Sequence, residues 1–378
     1  MDKSDKIYRE LQKHLDKHNA FFPKLRSGVD IRILKHHCSP EEAKIMLKMD
    51  YKYEPVEVVY ERLPDIGVSY EDFGEIIEQM VRKGGIMHVE RNGVDLIKTL
   101  PWVVGMFEHK AYNLTPEYVR DLREIQSNKT KFGLAFISTE VLQMRTIPIE
   151  KSVEPQELTV ASYDSIRNLI EDTTDPIVAN ECICRQAREI EGHSCQTSKN
   201  IERCLAFREL AQLCIRGEMG RVVSKEEALE IIHQAEKEGL VLQPSNAQEP
   251  EFVCCCCKCC CGILGAHGQM PRTARFWATN YYSVVDTTIC KGCGICAKKC
   301  PASAITHKKA NKIPKINLNK CIGCGVCVVK CPNKAVKLVQ KEKETLPPKT
   351  DDDLYELIMQ NKRGRFSSVM RIAKKMIK

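Results

Sequence analysis

Several familiar kinds of chemistry have no foothold in this sequence. There is no G-x-x-x-x-G-K-S/T phosphate loop, and Gly262, Gly265 and Gly268 do not fall in a G-x-G-x-x-G order, so neither nucleotide hydrolysis nor a nicotinamide or flavin site is expected. No stretch approaches the roughly 20 apolar residues of a membrane span. The opening residues, MDKSDKIYRELQKHLDKHNAFF, carry a charge every few positions and no apolar leader, which predicts a reducing, cytoplasmic setting. Aromatic residues make up only 6% of the chain, and cysteine is nearly missing from its first 181 residues, where Cys38 stands alone.

Beyond that point cysteine is abundant. Of 21 cysteines among 378 residues, 20 lie between Cys182 and Cys331. In a reducing compartment such thiols are metal ligands or redox groups rather than a disulfide framework. The length suits two or three domains, and the formal net charge is +8.

The N-terminal part reads as helices followed by a ribbon. Helical stretches follow Pro40 and Pro55, and a third follows Ser69, where Phe73, Ile76, Ile77, Met80 and Val81 recur at helical spacing until Gly84 and Gly85 stop it. Asn92-Gly93 then sits between two short β-prone runs, a strong hairpin signal. Three helices and a hairpin resemble a winged helix. Its third helix, however, carries Glu71, Asp72, Glu75 and Glu78 against Arg82 and Lys83, so it would repel phosphate, and no nucleic acid is expected as a partner. From 111 to 181, prolines 148, 155 and 176 break the chain into short elements with no assignable chemistry, a connecting region.

Near the C-terminal end the sequence repeats itself. Cys290, Cys293, Cys296, Cys300 and Pro301 form C-x2-C-x2-C-x3-C-P, and Cys321, Cys324, Cys327, Cys331 and Pro332 repeat it 31 residues later. Two-residue spacers let three thiolates wrap one face of a cube, while Gly292, Gly294, Gly323 and Gly325 let backbone amides approach the sulfurs. Over roughly residues 282–340 the chain resembles the bacterial-type ferredoxins, which carry two 4Fe-4S clusters. The resemblance implies two halves related by a pseudo-two-fold axis and a crossed ligand pattern. Cys290, Cys293, Cys296 and Cys331 would hold one cluster, and Cys321, Cys324, Cys327 and Cys300 the other. Zinc usually takes separated cysteine pairs instead of such triplets. Between Asp286 and Gln340 there are eleven lysines, no arginine and one acid, a surface that favours an acidic redox partner and eases cluster reduction.

A second cysteine block precedes this segment. Cys182, Cys184, Cys195 and Cys204 lie in a polar stretch, and four is the number one cluster needs. Cys214, on a helix expected over CLAFRELAQLCI, reads as packing. Ser224 and Glu227 predict a capped helix ended by Gly239, followed by a strand at LVLQP. The run Cys254 to Cys257, Lys258, Cys259 to Cys261 cannot bind one centre with every thiol, because successive side chains of an extended run point to opposite faces. Alternate residues such as Cys254 and Cys256, or a loop set of Cys257, Cys259 and Cys260, are the candidates. The block is open to three chemistries: iron–sulfur ligation, which we rank first, zinc, and thiol redox. His193, between Cys184 and Cys195, is a lesser candidate ligand, and His233 and His267 read as surface or packing.

After a charged, proline-containing linker, residues 354–378 read as a basic amphipathic helix suited to an anionic membrane surface, an acidic partner groove, or packing on its own domain. The expected architecture is multidomain α+β: a winged-helix-like domain (1–110), a connecting region (111–181), a cysteine-rich domain (182–265), a ferredoxin domain (266–340), and a linker with the terminal helix (341–378). The expected function is transfer of single low-potential electrons between a donor and a redox enzyme, through two ferredoxin clusters and at least one more. A redox-sensing regulator acting through the winged helix and an oxidoreductase centred on Cys254–Cys261 are the alternatives. The whole arrangement also looks like iron–sulfur proteins of anaerobic microbes, a looser resemblance that implies no defined activity.

Overall fold

The computed structural model describes residues 3–17, 22–127, 141–153, 160–174, 176–269, 272, 274, 277–309 and 312–362. It mixes helix and sheet and divides into two compact units: residues 1–138, 181–193 and 209–221 in the first, and 139–180, 194–208 and 222–378 in the second. The expected C-terminal helix from Phe366 onward lies outside the described residues.

In the first unit, helices Lys3–Leu15, Val29–His37 and Pro40–Met46 precede strand β1 (Glu54–Pro55), helices Val56–Glu61 and Tyr70–Arg82, and strands β2 (Ile86–Arg91) and β3 (Val94–Thr99). The apolar stripe expected from the sequence faces inward: Phe73, Ile77, Met80 and Val81 are buried, in one core with Leu11, Leu34, Ile45 and Ile97, and Ile76 packs half-buried against it. Ser39 and Ser69 cap their helices by accepting the amide N–H three residues on. β2 and β3 pair antiparallel from Ile86↔Thr99 to Arg91↔Val94, and Asn92 and Gly93 take φ of 55° and 77° to turn the chain between them. β1 joins the far edge of β3, giving the order β1-β3-β2. Glu78 of the third helix is tied to Arg216 at 2.8 Å and lies 2.8 Å from His88.

The second unit contains a five-stranded sheet of order β6-β4-β5-β8-β7, formed by β4 (Ile177–Glu181), β5 (Glu202–Ala206), β6 (Arg221–Val223), β7 (Val241–Pro244) and β8 (Phe252–Cys256). The helix expected over CLAFRELAQLCI is corrected by this sheet. Cys204, Leu205 and Ala206 pair with Cys254, Val253 and Phe252, and only Arg208–Arg216 is helical. An apolar run of that length suits strand or helix equally, and pairing across the sheet decides. The capped helix Lys225–Glu238 forms as expected, with Ser224 accepting from the Glu227 amide and Gly239 ending it at φ 86°.

Residues 144–147 lace this sheet to the cysteine repeat. Arg145 N–H donates to Pro244, Ile147 N–H to Leu242, and Thr146 N–H to Ala278. The Arg145 guanidinium pairs with Asp164, both nearly fully buried, and Asp164 also accepts from Asn280 at 3.0 Å. Removing the arginine would strand a buried carboxylate, so this contact fixes the approach to the repeat. The stretch read as a linker is also held down: Gln248 and Glu249 N–H groups donate to Pro348 and Lys349, and buried Asp351 accepts from Ser245 and the Glu251 amide.

The repeat itself folds as two small antiparallel ladders. β9 (Tyr281–Val285) pairs with β12 (Val336–Gln340), and β10 (Ile305–Thr306) with β11 (Lys315–Ile316). Its geometry recurs at the sequence offset. Gly292 and Gly323 have φ of 64° and 66°, and Gly294 and Gly325, at 72° and 77°, open the short helices Ile295–Lys299 and Val326–Val329.

Candidate metal centres

Each half of the repeat closes a cavity, and the thiols that line each one come from both halves. Cys321, Cys324 and Cys327 line one small hollow together with Cys300, whereas Cys290, Cys293 and Cys296 line another together with Cys331. Pro301 and Pro332, each following a fourth cysteine, line the same walls, so the turn at each proline delivers its cysteine across. Backbone amides reach these sulfurs in matching positions: Ala304 N–H donates to Cys300 Sγ and Ala335 N–H to Cys331 Sγ, both at 3.3 Å. Ser283 adds two contacts in the first cavity, its N–H to Cys321 Sγ at 3.4 Å and its Oγ 3.3 Å from Cys327 Sγ. Nothing in the sequence pattern singled out Ser283; it is found here because β9 runs past the cage.

The two cavities differ in exposure. Cys321, Cys324 and Cys327 are buried and Cys300 is half-buried, while Cys293 is exposed, Cys290 and Cys331 are half-buried and Cys296 is buried. Burial pushes the Cys327 thiol up to about 12 and the Cys324 thiol well above its ordinary value. As free groups these thiols would stay protonated, so holding them as thiolates requires a compensating cation. Thiol donors, glycine-enabled backbone approach and N–H···S contacts all fit a 4Fe-4S group. Such a group, when bound, supplies a reversible one-electron couple.

The second block is rearranged relative to its order in the chain. Of the four thiols grouped by sequence, Cys182 and Cys184 belong to the first unit, and Cys195 and Cys204 to the second. Cys195 Sγ lies 3.6 Å from the Sγ atoms of both Cys257 and Cys259, Cys257 and Cys259 are 3.5 Å apart, and Cys259 and Cys260 are 3.7 Å apart. All four sulfurs fall within 4.8 Å of one another, the single such group among the described residues. Cys204 instead stands opposite Cys254 across the β5–β8 ladder, with sulfurs 3.9 Å apart. Cys256, on the same strand face as Cys254, is in sulfur contact with Cys254 and with Cys261, and these neighbours with burial push its thiol well up. Cys261 was not among the expected ligands. Cys182 and Cys184 likewise contact each other, which raises the Cys182 thiol.

Cys255, on the opposite strand face, is buried, and Cys214 is buried as expected of a packing residue. His193 is exposed on the first unit. His267 packs edge-on against Trp277 with Nε2 2.9 Å from the Lys320 carbonyl, and burial lowers it to about 4. His233 lies 3.4 Å from Glu150.

Residues 282–332 match the family model of the 4Fe-4S dicluster domain. A search of curated proteins returned no match. The matched domain and the gathered cysteines define an iron–sulfur, metal-binding chain and point to electron transfer. No helix among the described residues is long and apolar enough to cross a membrane.

Proposed function

We propose that this chain is a multi-centre electron carrier. In this reading Cys290, Cys293, Cys296 and Cys331 hold one 4Fe-4S cluster, Cys321, Cys324, Cys327 and Cys300 hold a second, and single electrons pass between them. The observation that carries it is the lining of the two cavities by crossed sets of four thiols. The cluster beside exposed Cys293 is the exit to a partner, and the buried one is the inner relay. Around the exit, Lys291, Lys298 and Lys299 are exposed, as is Ile289 at 41%, a cationic rim with an apolar spot that suits an acidic redox protein.

From the helix Pro40–Met46 onward the first unit runs helix, strand, two helices and hairpin, with β1 on the outer edge of β3, an order that resembles a winged helix. We read it as a protein-docking module. Glu71, Asp72 and Glu75 are exposed on the third helix, against phosphate binding, and this also weighs against the redox-regulator alternative.

Stopped-flow transfer from the reduced chain to two one-electron acceptors, one acidic and one basic, tests the role. Transfer to the acidic acceptor should be the faster at low salt and slow several-fold as salt rises, while the basic acceptor shows the reverse trend. Equal, salt-independent rates, or no transfer at all, would contradict it.

A further inference from the structure

Transfer through the two cavities makes no use of Cys195, Cys257, Cys259 and Cys260. We propose that these four thiolates hold one tetrahedrally coordinated metal ion, zinc, as a structural staple, and not an iron–sulfur cube.

Sulfur spacing separates the two kinds of centre. Four thiolates on one zinc ion at about 2.3 Å stand at the corners of a tetrahedron whose edges are about 3.8 Å. Here four of the six edges measure 3.5–3.7 Å and all six lie under 4.8 Å. On a cube each thiolate takes a different iron, so an iron–iron edge and two splayed bonds separate every pair, and the sulfurs must stand well apart. The dicluster repeat provides the contrast in the same chain: among the described residues, no three of its sulfurs lie within 4.8 Å of one another.

Chain geometry agrees. Cys257, Cys259 and Cys260 occupy one turn between β8 and the helix Gly262–Gln269, tightened by the Cys261 N–H bond to the Cys257 carbonyl. Neighbouring Cα atoms are about 3.8 Å apart, and the Cys259 and Cys260 sulfurs, 3.7 Å from each other, converge on one point instead of splaying to separate corners. A vicinal disulfide is disfavoured by the same closeness, since bridged residues usually have Cα atoms about 4.4–6.8 Å apart. The fourth ligand comes from 62 residues upstream, so closing the site ties the loop after residue 193 to the β8 turn.

The set is complete with four protein ligands, as structural zinc sites are. Soft thiolates combined with the Irving–Williams order favour zinc over iron. Loading is balanced: four thiols release four protons to solvent as the dication binds, leaving the centre at a net charge of −2. Ser198 N–H donates to Cys195 Sγ at 3.4 Å and Thr197 Oγ1 lies 3.5 Å from Cys259 Sγ, contacts that support such an anionic centre.

The test is made on the full chain, purified without oxygen from zinc- and iron-supplemented growth. Zinc-edge X-ray absorption should give about one zinc per chain with four sulfurs at about 2.3 Å and no iron neighbour. The doubly substituted Cys259→Ser, Cys260→Ser chain should lose that zinc while its iron, sulfide and dithionite-bleached absorbance stay unchanged, so the staple and the electron-transfer reading fail separately. Absence of four-sulfur zinc from the unsubstituted protein, or loss of about four iron and four sulfide on substitution, would overturn the proposal. The first measurement needs no variant, so it stands even if the substituted chain does not fold.

Discussion

Cys293→Ala combined with Cys331→Ala should cost no more iron than either change alone, about four atoms per chain, whereas Cys293→Ala combined with Cys300→Ala should cost about eight. The expectation follows from which thiols share a cavity. Cys293 and Cys331 line one space, although they come from different halves of the repeat, and Cys300 lines the other. Two ligands of one cluster are not independent, since losing either empties the same cage, while ligands of different clusters add. If each run instead kept its own fourth cysteine, Cys293 would share a cluster with Cys300 and the two double variants would exchange results. Iron and sulfide analysis of the four anaerobically purified variants decides between the patterns.

The second large effect is conformational. Gly323 and Gly325 should be nearly irreplaceable by alanine, and Gly294 much more tolerant. All three have φ between 66° and 77°, which costs an L-residue about 1–2 kcal/mol. Their surroundings differ. A Cβ on Gly323 would lie 2.4 Å from the Tyr281 carbonyl oxygen, and one on Gly325 2.1 Å from Ser152 Oγ and 2.6 Å from Ser152 Cβ. Ser152 cannot give way: it is fully buried and its hydroxyl donates to the Ile149 carbonyl, while the Ile149 amide donates to Cys324. At Gly294 the obstacle is the His307 ring, the end of a half-buried side chain that can swing away if its Nε2 contact with the Gly292 carbonyl, at 2.9 Å, is given up. Overpacking adds about 1–3 kcal/mol, so Gly323→Ala and Gly325→Ala should each lose about 2–5 kcal/mol, and Gly294→Ala the backbone part and at most that one hydrogen bond, about 0.5–1.5 kcal/mol. Denaturant unfolding followed by cluster absorbance measures this. Adding Ser152→Gly to Gly325→Ala should recover the steric share, and equal losses at Gly294 and Gly325 would contradict the argument.

The two cysteine regions were not equally legible in the sequence. In the repeat, three thiols of each cavity are local, the glycines mark the backbone turns, and a 31-residue offset exposes the duplication. The resemblance it carried implied the crossing of Cys300 and Cys331; in the structure Cys300 lines a cavity with the second triplet and Cys331 one with the first. The hairpin at Asn92-Gly93 and the stripe Phe73, Ile77, Met80 were readable for the same reason, because turn chemistry and helical period are short-range.

The earlier block depends on long-range pairing. Cys195 meets Cys257 across 62 residues and Cys204 meets Cys254 across 50, through the β5–β8 register that no local pattern encodes. Grouping by proximity in the chain put Cys182, Cys184, Cys195 and Cys204 together, and the division into units separates the first pair from the second. The strand at Cys204–Ala206 was hidden for a related reason: its apolar residues suit a helix until Val253 and Phe252 are placed opposite them. Alternation along the run offered Cys254 with Cys256, or the loop set Cys257, Cys259 and Cys260, as alternatives; in the structure the first pair shares a strand face and the second set gathers in the turn.

In the proposed function, inorganic iron and sulfide are held by the eight thiols of the repeat. The direct measurement is iron and acid-labile sulfide per chain in oxygen-free protein, with the visible spectrum recorded before and after dithionite. We expect at least about eight of each per chain and a brown absorbance that dithionite bleaches. A colourless chain without labile sulfide, or a colour that dithionite leaves untouched, would contradict it.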